Sequence, residues 1–458
     1  MTRADGAALL EERISEWRAH LDRRQAIRSV DVEELEDHLR AQVETLREAG
    51  LDEDEAFLVG VKRMGELDSI SREFALEYSE RLWKQLVVSS GKGETSTGVG
   101  RDALVAVGLA IAAAAALKAP ALFGLEIAGR DADLSFYRLN LCLLVFPFLA
   151  IFFAWKRGLP QWGWGWLAIP FVAAGLLVNL MPFVSEGHTE ALAALHLPIA
   201  LWLTVGFAYV GGQWRSGDQR MNYIRFSGEW FIYYSLIALG GGVLTAFTLF
   251  VFRAIGLNIE PIAENWIIPC GAAGAVLIGA WLVESKQSVI ENMAPVLTLL
   301  FTPLFALLLL VFLGTMLWTG NPIEVEREVL IGFDLLLALV LGLLLYAISA
   351  RDPLQPPGWF DVLQVVLVVS ALLVDAFALW AILARINEYG FTPNRTAALG
   401  ENLILLVNLG WSAVLYTKFL MRRSRFVTLE RWQTGYVPVY FVWAWVVVGL
   451  FPVLFGFW

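Results

Sequence analysis

Long apolar runs are the feature that most constrains this chain. From residue 102 onward, runs of about 20 apolar residues follow one another with only short polar breaks. A helix rises 1.5 Å per residue, so about 20 residues cross the 30 Å hydrocarbon core of a bilayer. The whole chain of 458 residues is 57% hydrophobic and only 17% charged, which is too apolar for a soluble protein. The sequence therefore predicts an integral membrane protein.

The predicted fold class is all-α, a polytopic α-helical membrane bundle of about 11 spans that follows a small N-terminal cytosolic helical domain. Proline inside several spans is compatible with this prediction, because neighbouring helices can satisfy the freed backbone groups. The predicted spans centre on residues 102–124, 138–155, 162–183, 191–211, 229–252, 265–284, 293–318, 329–349, 360–384, 397–420 and 436–457.

Residues 1–88 are predicted to form a separate four-helix domain. Residues 1–101 hold 22 acidic and 15 basic side chains and so contribute −7 to the net charge of −10. The Gly-, Ser- and Thr-rich stretch 89–101 is expected to be a flexible linker to the multi-span domain 102–458. The expected helices cover about residues 8–24, 31–50, 52–65 and 68–83, with N-caps at Asp31 and Asp52.

Part of this domain resembles a known family. Residues 34–75 contain an acidic-His-Leu-Arg run, a Gly-Leu-x-x-x-x-Ala turn and a Met-Gly-x-x-x-x-Ile step, in that order. This segment resembles the bacterial permease prefix domain of the HAAS type. The resemblance implies a small cytosolic helical module in front of a permease or another multi-span domain, and it would make residues 1–88 the surface for a cytosolic protein partner.

Basic residues predict the orientation. With the N-terminus in the cytosol, the inside loops hold 12 Lys and Arg residues and the outside ends and loops hold 6. This excess agrees with the positive-inside rule. An odd number of spans then places the C-terminus on the periplasmic side of a bacterial inner membrane. The basic cluster at 418–431 is explained by this topology and by anionic lipid, and no nucleic-acid partner is predicted.

Three charged residues at membrane depth form the candidate polar site: Lys118, Asp334 and Asp375. At 1.5 Å per residue, Asp375 lies about 15 Å below Arg385 and Asp334 about 9 Å below Glu328. Charges inside a membrane are costly and usually face the bundle interior or a polar path. The site is interpreted as a proton or ion site, and the alternative is a structural ion pair that fixes helix packing.

Other polar and small residues in the spans have two readings. The triplet Gly240–Gly242 is either a break in the fifth span or a place of close helix packing. Asn179, Gln364 and Asn408 are expected to form hydrogen bonds between helices, and His196 is expected to be a core histidine with satisfied hydrogen bonds.

No catalytic pattern is found in the sequence. Gly-x-Ser-x-Gly and His-Glu-x-x-His are absent, and Gly-Lys-Gly-Glu-Thr near residue 92 does not match a phosphate-binding loop. The two cysteines, Cys142 and Cys270, lie in or beside apolar runs and predict neither a disulfide framework nor a metal site. The sequence therefore predicts no enzyme, no cofactor and no metal.

The polar stretch ARINEYGFTPNRT, residues 384–396, separates two of the most apolar runs. Thr392, Pro393 and Asn394 are expected to form the turn, with Asn394 as the N-cap of the tenth span and with arginines at both ends of the loop. From about residue 225 to 430 the chain resembles the bacterial membrane family called domain of unknown function 4153. Its most specific mark is matched here by Arg385, Tyr389, Gly390, Thr392, Asn394 and Arg395.

Two functions remain open from the sequence. The first is a permease-like inner-membrane protein with ion- or proton-linked solute handling, regulated through the prefix domain. The alternative is a signalling or scaffold protein that relays the state of the envelope to a cytosolic partner without transport.

Overall fold

The structure is a computed structural model. It describes residues 14, 29–48, 52, 55–57, 59, 97–129, 132–285, 293–319, 327–353 and 355–457. Contacts divide the chain into two units, Met1–Thr95 with Lys286–Glu291 and Ser96–Ser285 with Asn292–Trp458. In the described ranges the fold is helical, and the β-structure there is one isolated bridge between Glu126 and Ala132.

Twelve helices of the described residues carry labels below. α1 belongs to the N-terminal unit, and α2 to α12 belong to the second unit. Their bounds are α1 Ser29–Glu48, α2 Thr97–Lys118, α3 Leu134–Lys156, α4 Gln161–Leu180, α5 His188–Tyr209, α6 Gly217–Ala254, α7 Ile268–Ser285, α8 Met293–Thr319, α9 Arg327–Ala350, α10 Trp359–Tyr389, α11 Pro393–Leu420 and α12 Phe426–Trp445.

In the N-terminal unit, α1 lies within the helix predicted at residues 31–50 apart from its first two residues, and it buries Leu39, Val43 and Leu46. The backbone N–H of Glu55 donates to Asp52 Oδ1 at 2.7 Å, so Asp52 is an N-cap as predicted. α1 begins at Ser29, two residues before the expected cap Asp31. The predicted helices at 8–24 and 68–83 lie outside the described residues, except for buried Ile14.

The second unit confirms eleven helices that are long and apolar enough to cross a membrane. Helix α2 begins at Thr97 and therefore takes in the last five residues of the predicted linker. Short distorted helical segments extend two spans: a π-helical turn at Ala263–Ile267 precedes α7, and another at Val446–Leu450 follows α12. Helix α12 begins at Phe426, ten residues before the predicted span, because Phe426 and Leu429 are buried against the preceding helix.

Two large apolar clusters organise these helices. One unites residues of α2 to α7, and the other unites residues of α8 to α12 with Met221 of α6. We call these helix sets the first group (α2–α7) and the second group (α8–α12). They meet where α5 packs on α11 and α12, and where α6 packs on α9 and α12.

The glycine triplet of α6 is neither a break in the helix nor a place of close helix packing. Helix α6 is continuous from Gly217 to Ala254, so Gly240 to Gly242 do not break it. A methyl group built at any of the three glycines meets no other atom within 4 Å, so they do not mark close packing against a described helix either. The half of α6 that contains them is exposed, whereas its first half is packed between the two groups.

Candidate functional site

Asp375 lies near the middle of α10, on the buried face of that helix. It is 14 residues before the helix end at Tyr389, which corresponds to about 21 Å along the axis. Its residue surface is 0% exposed, and neither carboxyl oxygen has a hydrogen-bond partner in the described structure. Because an ionised carboxylate without donors is very costly in an apolar interior, this side chain needs a bound proton or cation.

Asp334 of α9 lies close enough to Asp375 for the two carboxyl groups to interact electrostatically. Its Oδ1 accepts a hydrogen bond of 2.7 Å from the Asn402 amide of α11. Among the described residues neither aspartate is paired with a lysine or an arginine, so the site there is a pair of carboxyl groups rather than a structural ion pair. The interaction of two like charges disfavours the state in which both carboxyl groups are ionised.

A second polar pair lies next to these carboxyl groups. His196 Nε2 of α5 and Glu401 Oε1 of α11 are 2.7 Å apart, and Nδ1 of the same histidine lies 2.9 Å from the carbonyl oxygen of Leu192. Glu401 directly precedes Asn402 and interacts electrostatically with Asp334. Through the hydrogen bonds of Glu401 and Asn402, α11 therefore connects α5 to α9.

The prediction for His196 is confirmed, since both ring nitrogens have a partner. Its partner Glu401 was not among the predicted site residues. Glutamate at the ninth position of a helix that begins at Pro393 resembles any polar residue near a span end, and only packing brings it to a histidine 205 residues away. The signal available in the sequence was an acidic residue one turn or more inside an apolar span.

Lys118, the third predicted site residue, lies elsewhere. Its Nζ donates to the carbonyl oxygen of Asn265 at 2.8 Å and lies 4.7 Å from the ring centre of Trp266. Helix α2 packs on α3 and α7 in the first group, whereas the aspartates belong to α9 and α10 of the second group. The structure thus brings Asp334 and Asp375 together and leaves Lys118 out, because the depth of a residue in a span does not determine its neighbours.

We call the end of the bundle where α5 and α11 begin and α10 ends the cap face. The predicted turn 384–396 lies there, and the residues that match the family mark form contacts within it. Gly390 ends α10 with φ of +74°, a conformation that favours glycine. Arg395 donates to the Gly390 carbonyl oxygen at 2.9 Å and stacks over the Tyr389 ring at 5.3 Å. Neither contact reaches an intramembrane carboxyl group.

Asn394 is not the N-cap that the sequence predicted. Thr392 takes that place, since its side chain accepts from Arg395 N at 3.4 Å and Pro393 follows in the first turn, where proline fits well. The Asn394 amide instead lies 2.9 Å from Nδ1 of His188, at the start of α5. The contacts of Arg395 and Asn394 thus join α11 to the end of α10 and to the start of α5, and the half-buried Arg385 lies near the end of α10.

The three predicted interhelical hydrogen bonds are confirmed. Asn179 of α4 bonds to Asn140 of α3 in both directions, at 2.8 and 3.1 Å. Gln364 of α10 donates to Thr302 of α8 at 3.2 Å. Asn408 of α11 and Gln433 of α12 exchange two bonds of 3.1 and 3.2 Å.

The described residues contain no group of three or more His, Cys, Asp or Glu side chains that could hold a metal ion. Comparison with known proteins found no matching family model, no similar curated protein and no similar solved structure. The resemblances of residues 34–75 and of the loop therefore stay predictions, and function has to be argued from the geometry.

Proposed function

We propose that this chain is a permease-like membrane protein that links the handling of a solute to the binding and release of protons. Its proton site consists of Asp375 and Asp334. One observation carries the proposal: Asp375 is fully buried near the middle of a span and neither of its carboxyl oxygens has a partner in the described structure. A proton neutralises such a group without further ligands, whereas a metal ion needs several.

The position of the site also supports the proposal. Transporters commonly hold coupling ions near the bilayer midplane, between packed groups of helices. Here the aspartates lie on α9 and α10, and α11 connects Asp334 to α5 of the first group through Asn402 and Glu401. The proposal includes a bacterial inner membrane as location, the N-terminus in the cytosol, the C-terminus in the periplasm and a regulatory role for residues 1–88, all of which derive from the loop charges and the prefix resemblance.

The test uses the full chain in liposomes that contain a pH-sensitive dye. A proton gradient is imposed, and a panel of small solutes is added in turn. We expect at least one solute to accelerate the collapse of the gradient through the wild-type protein. Asp375→Asn should abolish this acceleration, because an amide has nearly the same shape but cannot carry the proton.

The matched control is Glu260→Gln, which changes an exposed carboxyl group that forms a 3.7 Å pair with Arg253. This control should transport like the wild type. If Asp375→Asn accelerates the collapse as the wild type does, the proposed function is wrong. If no solute acts and Asp375→Asn only lowers the melting temperature, the aspartate is structural and the signalling or scaffold hypothesis gains.

A further inference from the structure

We propose that His196 and Glu401 form a proton relay, through which the buried aspartates exchange protons with the cap face. This inference rests on the proposed function, because it requires that Asp334 and Asp375 bind protons. It assigns a role to a histidine and a glutamate that lie at the junction of the first and second helix groups.

The hydrogen bonds of His196 require a proton between this residue and Glu401. A carbonyl oxygen only accepts, so Nδ1 near Leu192 O must hold a hydrogen. The contact of 2.7 Å between Nε2 and Glu401 Oε1 then needs one hydrogen of its own. Either protonated histidine donates it to the carboxylate, or protonated glutamate donates it to neutral histidine. Both arrangements contain one proton held between two groups that can each carry it.

Solvent exposure falls from Glu401 through His196 to Asp375, the order expected for a path from the surface to a buried group. The Glu401 side chain keeps 29% of its surface accessible, the His196 side chain 8%, and Asp375 has none. Glu401 interacts electrostatically with Asp334 of α9, and Asp334 interacts in turn with Asp375 of α10. No described lysine or arginine bonds to the pair, so no fixed positive charge holds the proton away.

Both partners lie near the cap face. His196 and Glu401 are each eight residues from the first residue of their helices, His188 and Pro393, which corresponds to about 12 Å. Toward the opposite face, the buried side of α10 continues from Asp375 through Ala371 and Val368, both 0% exposed. On that side of Asp375, the buried polar residues of α10 are Ser370, whose hydroxyl donates to carbonyl oxygens of its own helix, and Gln364. The His196–Glu401 pair thus lies nearer the cap face than Asp375, which is 14 residues, or about 21 Å, from the end of α10.

The test follows hydrogen–deuterium exchange at the Asp375 carboxyl group by infrared spectroscopy of the full chain in liposomes. This measurement needs no transported solute. The carbonyl band of a protonated carboxyl group is assigned to Asp375 by its loss in Asp375→Asn. Exchange is then started by changing to deuterated buffer, and the shift of the band gives the rate.

Glu401→Gln should slow this exchange about a hundredfold, because a positioned proton donor typically speeds a transfer by that order. The amide of glutamine still bonds to His196 but cannot pass a proton on. His196→Asn should slow it similarly, and Glu401→Asp, which keeps a carboxyl group, should restore much of the rate. A variant that only loosened packing would speed the exchange.

The matched control is Glu190→Gln. Glu190 is another buried carboxyl group of α5 near the cap face, and its Oε2 accepts from Glu186 N at 2.8 Å. It should exchange like the wild type. If Glu401→Gln and His196→Asn exchange at the wild-type rate while Asp375→Asn still removes the band, the proposed proton relay is wrong and the proposed proton site is unaffected. If Asp375→Asn removes no band, both proposals fail.

Discussion

At the scale of single residues, partners distinguish the buried carboxyl groups more sharply than burial does. Asp361 is 4% exposed, but Arg351 donates two hydrogen bonds of 2.9 and 3.1 Å to it. Glu284 forms ion pairs with Lys156 and Arg157. Asp375 is at least as buried as either and has no such partner in the described structure. The same side-chain chemistry therefore forms buried ion pairs at two places, and at the third it leaves the unpaired carboxyl group for which we propose a proton site.

The Arg351–Asp361 pair gives a prediction about stability. Arg351 also donates to three backbone carbonyl oxygens and stacks over the rings of Phe419 and Phe426 at 4.7 and 4.5 Å. Arg351→Ala should lower the free energy of unfolding by about 3 to 5 kcal/mol, because it leaves a buried carboxylate unpaired.

The measurement is unfolding of the purified protein in a titration from mild to denaturing detergent. Arg253→Ala is the control, since Arg253 is 81% exposed and its pair with Glu260 is 3.7 Å long. The control should cost less than about 1 kcal/mol. If the two substitutions lower the free energy of unfolding equally, the buried pair stabilises the fold no more than the exposed pair does.

At the scale of helices, close approach depends on glycines at particular crossings. A methyl group at Gly206 of α5 would lie 2.6 Å from the Tyr223 ring of α6. That ring is buried, and its hydroxyl donates to the carbonyl oxygen of Trp202, so it cannot move aside. The exposed triplet at 240–242 shows the opposite case, in which nothing approaches.

Gly206→Ala should therefore lower the free energy of unfolding by about 1 to 3 kcal/mol through overpacking. Gly241→Ala should leave it unchanged or raise it by up to about 1 kcal/mol, because alanine favours a helix more than glycine does. The thermal melting midpoints of the two variants in detergent check both values. A destabilised Gly241→Ala would reveal that another molecule packs on the exposed half of α6.

At the scale of the whole molecule, the two units predict separable roles. His196, Glu401 and both aspartates belong entirely to the second unit, Ser96–Ser285 with Asn292–Trp458. A chain that lacks residues 1–90 should therefore still enter the membrane and keep part of the solute-dependent proton flux. If the protein instead passes a signal to a cytosolic partner, the same deletion should abolish its output.

Flux of the truncated protein is measured in the dye-loaded liposomes described above, at equal protein content. The control is the truncated protein with Asp375→Asn, which should have no flux. Complete loss of flux from a truncated protein that retains its melting temperature would contradict a merely regulatory role of residues 1–90.

The sequence by itself determined the number of spans and their approximate places. Lipid offers no hydrogen-bond partners, so each apolar run has to satisfy its own backbone as a helix, and this requirement is local. The same local reasoning identified Asp334 and Asp375 as costly charges and Asn179, Gln364 and Asn408 as hydrogen-bonding residues.

Only the tertiary structure decided which of these groups meet. It separated Lys118 from the aspartates, moved the cap of α11 to Thr392, and joined His196 to Glu401 across 205 residues. The depth of a side chain follows from its place in a span. Its partner follows from the rotation and packing of another helix, which depend on contacts along the whole length of both helices. The two acids of the proposed proton site are therefore visible in the sequence, whereas the bonds of their neighbours Asn402 and Glu401 are a property of the packed bundle.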